Sequence, residues 1–228
     1  MITAGIDCGA KNVRVLIFQD GKVLAQSMVP AGMDTAAAAE QAYGEALKEA
    51  GLTRDKVEKV VSTGAGKNEL SFRNDIVTEV GADARGIHHL FPDVRTVIDV
   101  GAEEGRAIKI DDRGKVVDFA INEKCAAGAG AFVEAMCRAL EVPIEEFGEF
   151  SLKSTKSIPM NAQCAVFAES EVVTLVHKKT PKHDIAHAIH DAISDRITSM
   201  VRRVGIEEKI ALIGGVAKNV GFVHSLKN

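Results

Sequence analysis

Short β-branched runs set off by glycine-bearing turns open the chain. Residues 2–7 (ITAGID) and 13–18 (VRVLIF) predict two strands separated by CGAKN, with the turn Gln19-Asp20-Gly21-Lys22 after the second. KVLAQSMVP keeps the alternation of apolar and polar positions, so the first 30 residues predict three antiparallel strands. A helical pattern over 34–50 (DTAAAAEQAYGEALKEA) follows, and Gly51 stops it as a helix cap. VEKVVST predicts a further strand, and a helix near 75–89 leads to Phe91-Pro92.

The pattern then restarts. TVIDVGAEEGRAIKIDDRGKVVDFAINEK holds a buried strand ending at Asp99, a glycine turn, a second strand, the turn Asp112-Arg113-Gly114 and a third strand. GID-CG with VRVLIFQDGKVL matches VID-VG with RAIKIDDRGKVV, which predicts an internal duplication and a boundary near Pro92, giving domains 1–92 and 93–228. Beyond it come a helix from about Gly128 to Glu141, a loop with Pro143, and a strand or loop before NAQCAVFAESEVVTLVHKK. Ile185, Ile189, Ile193, Ile197 and Val201 recur at i, i+4 and predict an amphipathic helix over about 184–203. KIALIGGVAKNVGFVHSLKN closes the chain as a buried strand, a double glycine and a helix.

Composition narrows the class. With 228 residues, 46% hydrophobic and 26% charged, the chain has ample material for one large or two modest soluble domains. A net charge of −4 and the absence of a basic stripe argue against nucleic acid. No signal peptide or stretch of ~20 apolar residues is found, so the expectation is a cytoplasmic protein with no membrane contact. Cys8, Cys125, Cys137 and Cys164 fit no disulfide framework, and neither CxxC nor HExxH is present. A metal site using these cysteines has to be assembled in space or between chains.

Three glycine elements carry candidate chemistry. Asp7-x-Gly9 and Asp99-x-Gly101 end the two first strands, where glycine lets backbone amides approach a phosphate and a carboxylate can hold magnesium or its water. Taken singly, each is equally a hairpin turn with a capping aspartate. Gly214-Gly215 in IALIGGVAKN resembles a cradle for a base or ribose, or is a strand-to-helix turn. STGAGKNEL hints at a P-loop but lacks GxxxxGK followed by Ser or Thr, so Gly64 to Lys67 are read as a loop at the domain's edge. Cys125 and Cys164 stand at the starts of Gly/Ala-rich or amphipathic segments, where a thiolate ligand and an inert buried thiol are both open. Cys8 and Cys137 look like packing residues. His183 and His187 are placed on the solvated side of their helix, and Glu169 and Glu171 cap a helix or meet a partner.

The paired DxG turns and IGGVAKN resemble the acetate and sugar kinase, heat-shock chaperone and actin superfamily. KCAAGAGAF, CAVFAESEV and IGGVAKN together resemble the BadF/BadG/BcrA/BcrD ATPase family across almost the whole chain. The resemblance implies an α/β fold of two duplicated ribonuclease H-like (actin-like ATPase) domains with a nucleotide cleft between them. It implies ATP or ADP with Mg2+, phosphates on Asp7, Gly9, Asp99 and Gly101, contacts from Gly128, Gly130 and Glu134, and an adenosine-side turn at Gly214 and Gly215. It also implies that Cys125 and Cys164 meet the same pair of a second, homologous subunit to hold one 4Fe–4S cluster. Electrons then run from a ferredoxin-type donor to acyl-CoA reductase or dehydratase catalytic subunits.

Three departures qualify the resemblance. Ala10-Lys11 stand where activators carry Ser-Thr, and Ala102-Glu103-Glu104 replace the GQD of the second turn, leaving Lys11 for phosphate and Glu103 beside Asp7 and Asp99 as catalytic candidates. Relatives also continue past VHSLKN with a further strand or loop and a helix. The expected function is therefore the D-type ATPase subunit of a benzoyl-CoA reductase heterodimer. The alternative is a homodimeric activator of a 2-hydroxyacyl-CoA dehydratase. A nucleotide-binding structural subunit and a small-molecule kinase are further alternatives.

Overall fold

A computed structural model describes residues 1–122, 130–160 and 165–228, with the backbone alone described for 165–167. The chain divides into two units, Met1–Ala82 and Asp83–Asn228.

The first unit is built on a mixed five-stranded sheet. β1 (Ile2–Cys8), β2 (Asn12–Gln19) and β3 (Lys22–Pro30) form an antiparallel meander. β4 (Lys59–Thr63) lies parallel to β1, and β5 (Asp75–Ile76) extends the sheet beside it, giving the order β3-β2-β1-β4-β5. The β2–β3 connection is tight because Asp20 and Gly21 both adopt positive φ, 49° and 84°, which matches the twist of the flanking strands. Ala4, Ile6 and Cys8 of β1 and Val13, Val15 and Ile17 of β2 alternate inward and join α1 (Thr35–Ala50) in one core. The α1 face contributes four alanines, Ala38, Ala39, Ala42 and Ala46, whose small side chains bring the helix close to the sheet. Asp34 accepts from the Ala37 amide at 2.9 Å to start the helix, and Gly51 ends it at φ 65°.

The second unit repeats the strand plan. β6 (Thr96–Val100), β7 (Gly105–Ile110) and β8 (Val116–Asn122) form the meander, and β9 (Ile210–Ile213) runs parallel to β6 in the order β8-β7-β6-β9. All five residues of β6 are buried. α2 (Glu79–Leu90) starts in the first unit and continues into the second. The helices that follow are α3 (Gly130–Leu140), α4 (Ile144–Ser151), α5 (Ala165–His177), α6 (Lys182–Val204) and α7 (Val220–Lys227). The expected α/β class with a repeated β-unit is met. The segment after Pro143, expected as a strand or loop, is instead α4, because Phe147 drops into the core shared with α3 and α6.

The histidines of α6 need a correction. Its isoleucine stripe is buried as expected, but the histidines are not on an open face, and the exposed mid-helix positions are Asp195 and Ser199. α4 and α7 pack against α6, so the His187 side chain is only 20% exposed and His190 is sealed. Ser151 donates its hydroxyl to the Gly148 carbonyl at 2.7 Å, which leaves it to accept from His190 Nδ1 at 2.9 Å. His190 Nε2 is then a buried acceptor with no partner among the described residues. Burial, helped by neighbouring His187, pushes the His190 pKa down to about 3, so the ring is neutral.

Candidate functional site

Both first strands end in the same construction. Asp7 faces Arg14 across the antiparallel ladder, and Asp99 faces Arg106 in the same register. In the parallel ladder Asp7 pairs with Thr63 and Asp99 with Ile213, and the next residue in each case is a glycine, Gly64 at φ +90° and Gly214 at φ +89°. A Cβ on Gly64 would stand 2.5 Å from the Cys8 carbonyl and 2.7 Å from Asp7 Oδ1. One on Gly214 would stand 2.5 Å from Asp99 Oδ1 and overlap the Val100 carbonyl oxygen. Only glycine satisfies both the conformation and the space.

Gly64 is a residue that sequence reasoning missed. The segment is a loop, as expected, and the Gly66 amide donates to the Cys8 carbonyl at 2.9 Å, holding STGAG against the first turn. The available signal was Thr63-Gly64 closing VEKVVS, mirrored by Ile213-Gly214 closing KIAL. Lys67, the lysine of the rejected P-loop pattern, is bound by Glu79 at 2.9 Å.

The two aspartate–arginine pairs differ in how far they are shielded. Asp99 and Arg106 meet at 2.5 Å with side chains 10% and 12% exposed, and Arg106 also holds Glu104. Burial alone would lower the Arg106 pKa, but Asp99, Glu104 and Asp83 outweigh it and raise it further. Asp7 and Arg14 are 3.4 Å apart and 41% and 49% exposed, a loose pair at the surface of the first unit.

The other candidate residues fall as follows. Gly9 closely follows Asp7, and a Cβ there would stand 3.0 Å from the Asn12 carbonyl; Lys11 is exposed on the same turn. Gly101 is closed onto the Glu104 carbonyl at 2.9 Å, with Glu103 exposed at the tip. The first amides of α3 are already engaged: Gly130 donates to the Gly101 carbonyl and Ala131 to that of Ala102, both at 2.8 Å. Gly130 also packs on Val216, so the α3 start, the Asp99 turn and the double-glycine turn form one assembly. Glu134 lies one turn along α3, half-buried. At Gly215 no described atom lies within 4 Å of where a Cβ would project. Cys125, Gly128 and Cys164 lie outside the described residues; α5 begins immediately after Cys164.

Cys8 and Cys137 are buried, as expected of packing residues. Burial first, then Asp7 and Glu69, pushes the Cys8 thiol up to about 12. Cys137 is likewise raised to about 12 by burial and then Glu134, so neither is a ready thiolate ligand. Among the described residues no group of three or more His, Cys, Asp or Glu is arranged to hold a metal. Magnesium suits the site differently, since it is commonly held by one or two carboxylates together with water and phosphate. Nor is any described helix long and apolar enough to cross a membrane.

Two matched sheets, each with an aspartate–glycine turn closed by a glycine from the parallel strand, define the fold class of the actin-like ATPases and sugar kinases. A ROK family glucokinase from Streptomyces griseus shares that fold with TM-score 0.56 at 13% identity, covering 100% of this chain and 88% of that one. The chain belongs to the BadF/BadG/BcrA/BcrD ATPase family, whose model matches residues 4–228. It is similar to the (R)-2-hydroxyglutaryl-CoA dehydratase activating ATPase of Acidaminococcus fermentans, 36% identical over 227 residues, covering 99% of this chain and 86% of that protein. It is also similar to the D-type subunit of benzoyl-CoA reductase from Thauera aromatica, 32% identical over 231 residues, covering 99% and 82% respectively. The crystal structure of A. fermentans (R)-2-hydroxyglutaryl-CoA dehydratase component A superposes with TM-score 0.93 at 34% identity, covering 100% of this chain and 88% of that one. The activator of 2-hydroxyisocaproyl-CoA dehydratase from Clostridium difficile with bound ADPNP gives TM-score 0.90 at 32% identity, covering 99% and 84%.

Proposed function

We propose that this chain is an ATP-hydrolysing activator of a 2-hydroxyacyl-CoA dehydratase-type enzyme, working as a homodimer. The observation that carries the reading is the whole-chain likeness to component A of the A. fermentans dehydratase, at TM-score 0.93 and 34% identity. The activator, an alternative on sequence alone, thus stands ahead of the D-type reductase subunit. Both dehydratase proteins of known structure named above resemble this chain at more than 30% identity, and the A. fermentans ATPase at 36% exceeds the reductase relative at 32%.

On this reading the first unit offers Asp7 to a magnesium ion or its water, with the Gly9 amide and Lys11 toward phosphate. The second unit offers Asp99, fixed by Arg106, and Gly101 to phosphate, with Glu103 at the turn tip to orient a water. Gly128, Gly130 and Glu134 are the residues proposed to meet the nucleotide from the α3 side, and Gly214-Gly215 receive the adenosine side. The open space over Gly215 supports that assignment. Cys125 and Cys164, with the same pair from a second copy, are the thiolates proposed to hold a 4Fe–4S cluster. Such a cluster supplies a low-potential electron, received from a ferredoxin-type donor, to the dehydratase component.

The reductase-subunit reading is kept as the second one by the Thauera relative and by Ala102-Glu103-Glu104 at the second turn. One anaerobic preparation separates the two. The chain is expected to purify alone as a homodimer with about four irons and matching sulfide per dimer, and to hydrolyse ATP unaided. Iron and ATPase activity that arise only with a co-expressed homologous subunit would favour the reductase reading. Iron-free protein from strict anaerobiosis would remove the cluster.

A further inference from the structure

The Gly64–Lys67 turn is absorbed by no role above, yet it is bonded on both sides. Toward the first turn, Gly64 leaves no room for a Cβ beside Asp7, and the Gly66 amide holds the Cys8 carbonyl. Away from it, Lys67 Nζ donates to Glu79 at 2.9 and 3.2 Å and reaches the Gly64 carbonyl at 3.3 Å. The Lys67 main chain is fixed as well: its amide donates to Gly64 O at 3.1 Å, and its carbonyl accepts from buried Ser62 Oγ at 2.9 Å. Lys67 and Glu79 are 22% and 20% exposed, so this pair is shielded far more than Asp7–Arg14. Glu79 is the first residue of α2, the helix through which the chain passes from the first unit to the second. A carboxylate there also favours the helix dipole, so Glu79 is bound by two attractions at once.

We infer that Lys67 is a positioning residue that ties the Asp7 turn to the first turn of α2, so that nucleotide at Asp7 is felt by α2. The inference rests on the proposed nucleotide reading of the Asp7 turn. A chain of packed and hydrogen-bonded groups runs from Asp7 through Gly64 and Lys67 to Glu79. A change in the load on Asp7 therefore reaches Glu79 through close contacts. The lysine is not needed to bind phosphate, because its ammonium is turned to Glu79.

The test is hydrogen exchange of residues 79–90 in the whole protein, with ADP and with a non-hydrolysable ATP analogue, alongside nucleotide affinity by calorimetry. Wild type is expected to show a nucleotide-dependent difference in exchange in this segment. Lys67→Met should abolish that difference while changing nucleotide affinity by less than about fivefold. Lys67→Arg should restore it. Glu79→Gln, which keeps the lysine, should reproduce the loss and serves if Lys67→Met folds poorly. A merely structural Lys67 would lower the melting temperature and leave the difference intact, and that overturns the inference. So does wild type that binds nucleotide without any difference in residues 79–90. Failure of wild type to bind nucleotide at all defeats the proposed function itself, and the inference with it.

Discussion

Gly214 and Gly215 are neighbours in one motif, yet the structure gives them opposite roles, and alanine at each separates fold from binding. At Gly214 the φ of +89° is hostile to an L side chain, which costs roughly 1–2 kcal/mol. The new Cβ would also stand 2.5 Å from Asp99 Oδ1 and overlap the Val100 carbonyl, all backbone or tightly paired groups that cannot swing aside. Overpacking of that kind adds about 1–3 kcal/mol, so the expected loss for Gly214→Ala is about 2–5 kcal/mol. For a domain of this size that is a fall of about 5–15 °C in the unfolding midpoint of the second unit. Asp99 would be pushed from Arg106, so nucleotide affinity should fall with stability. At Gly215 no described atom lies within 4 Å of the new Cβ and φ is not positive, so stability should stay within about 1 kcal/mol of wild type. The methyl would instead project into the open space proposed for adenosine, weakening nucleotide binding by about tenfold. Urea unfolding followed by circular dichroism gives the first quantity, and calorimetry with ADP the second. Gly214→Ala as stable as wild type would refute the steric argument. Gly215→Ala with unchanged ADP affinity would remove the adenosine assignment while leaving the fold intact.

Three further outcomes follow from the same geometry. Arg106→Met removes the shielded ion-pair partner of Asp99 and should cost about 3–5 kcal/mol, whereas Arg14→Met at the exposed Asp7 pair should cost less than about 1 kcal/mol, both read by urea midpoints. The His190 pKa is depressed to about 3 in the fold, so below the ordinary value of 6.5 the unfolded chain takes up a proton that the folded chain refuses. Its contribution to stability is thus constant above that value and falls by about 1.4 kcal/mol per pH unit from there toward 3, about 2 kcal/mol lost by pH 5. His190→Gln should flatten that part of the stability-against-pH curve; an unchanged slope would contradict the burial argument. Cys8 and Cys137, with thiols raised to about 12, should resist iodoacetamide at pH 8 in the native protein and react once it is unfolded, read residue by residue by peptide mass spectrometry.

Much of the fold could be read from periodicity because each half states its pattern locally. The alternating runs around Ile6 and Val15, the Asp20-Gly21 turn and the Asp34 and Gly51 ends of α1 are short-range signals, and each sits where expected. The site was legible to the extent that it repeats: Asp7 with Gly9 and Asp99 with Gly101 announce each other. What escaped depends on distant partners. Gly64 is set by its approach to Asp7 across a parallel ladder whose paired strands, from Thr3 with Lys59 to Asp7 with Thr63, are far apart in the chain. The α6 histidines look solvated from their own helix, and only the arrival of α4 and α7 buries them. Helix α4 was hidden for a similar reason, since IEEFGEFS is held by Phe147 in a core assembled from other elements.

The duplication then explains why similar turns need not do similar work. A strand ending in aspartate, with an arginine across the ladder and a positive-φ glycine beside it, is a requirement of the shared frame, because both halves keep it. Residues that differ between the halves are released from that requirement. At the position where the second half has Ile213, the first has Thr63, and the pairing of Asp7 is loose where that of Asp99 is shielded. A tightly held Asp99 keeps one geometry whatever binds near it, which suits fixing the turn against α3 and the double glycine. The exposed Asp7–Arg14 pair contributes at most about 1 kcal/mol, so giving up that arginine for a hydrated cation costs little. On the proposed reading, therefore, the first turn is the one whose contacts change with the nucleotide, and it is the first turn that Gly64, Lys67 and Glu79 connect to α2.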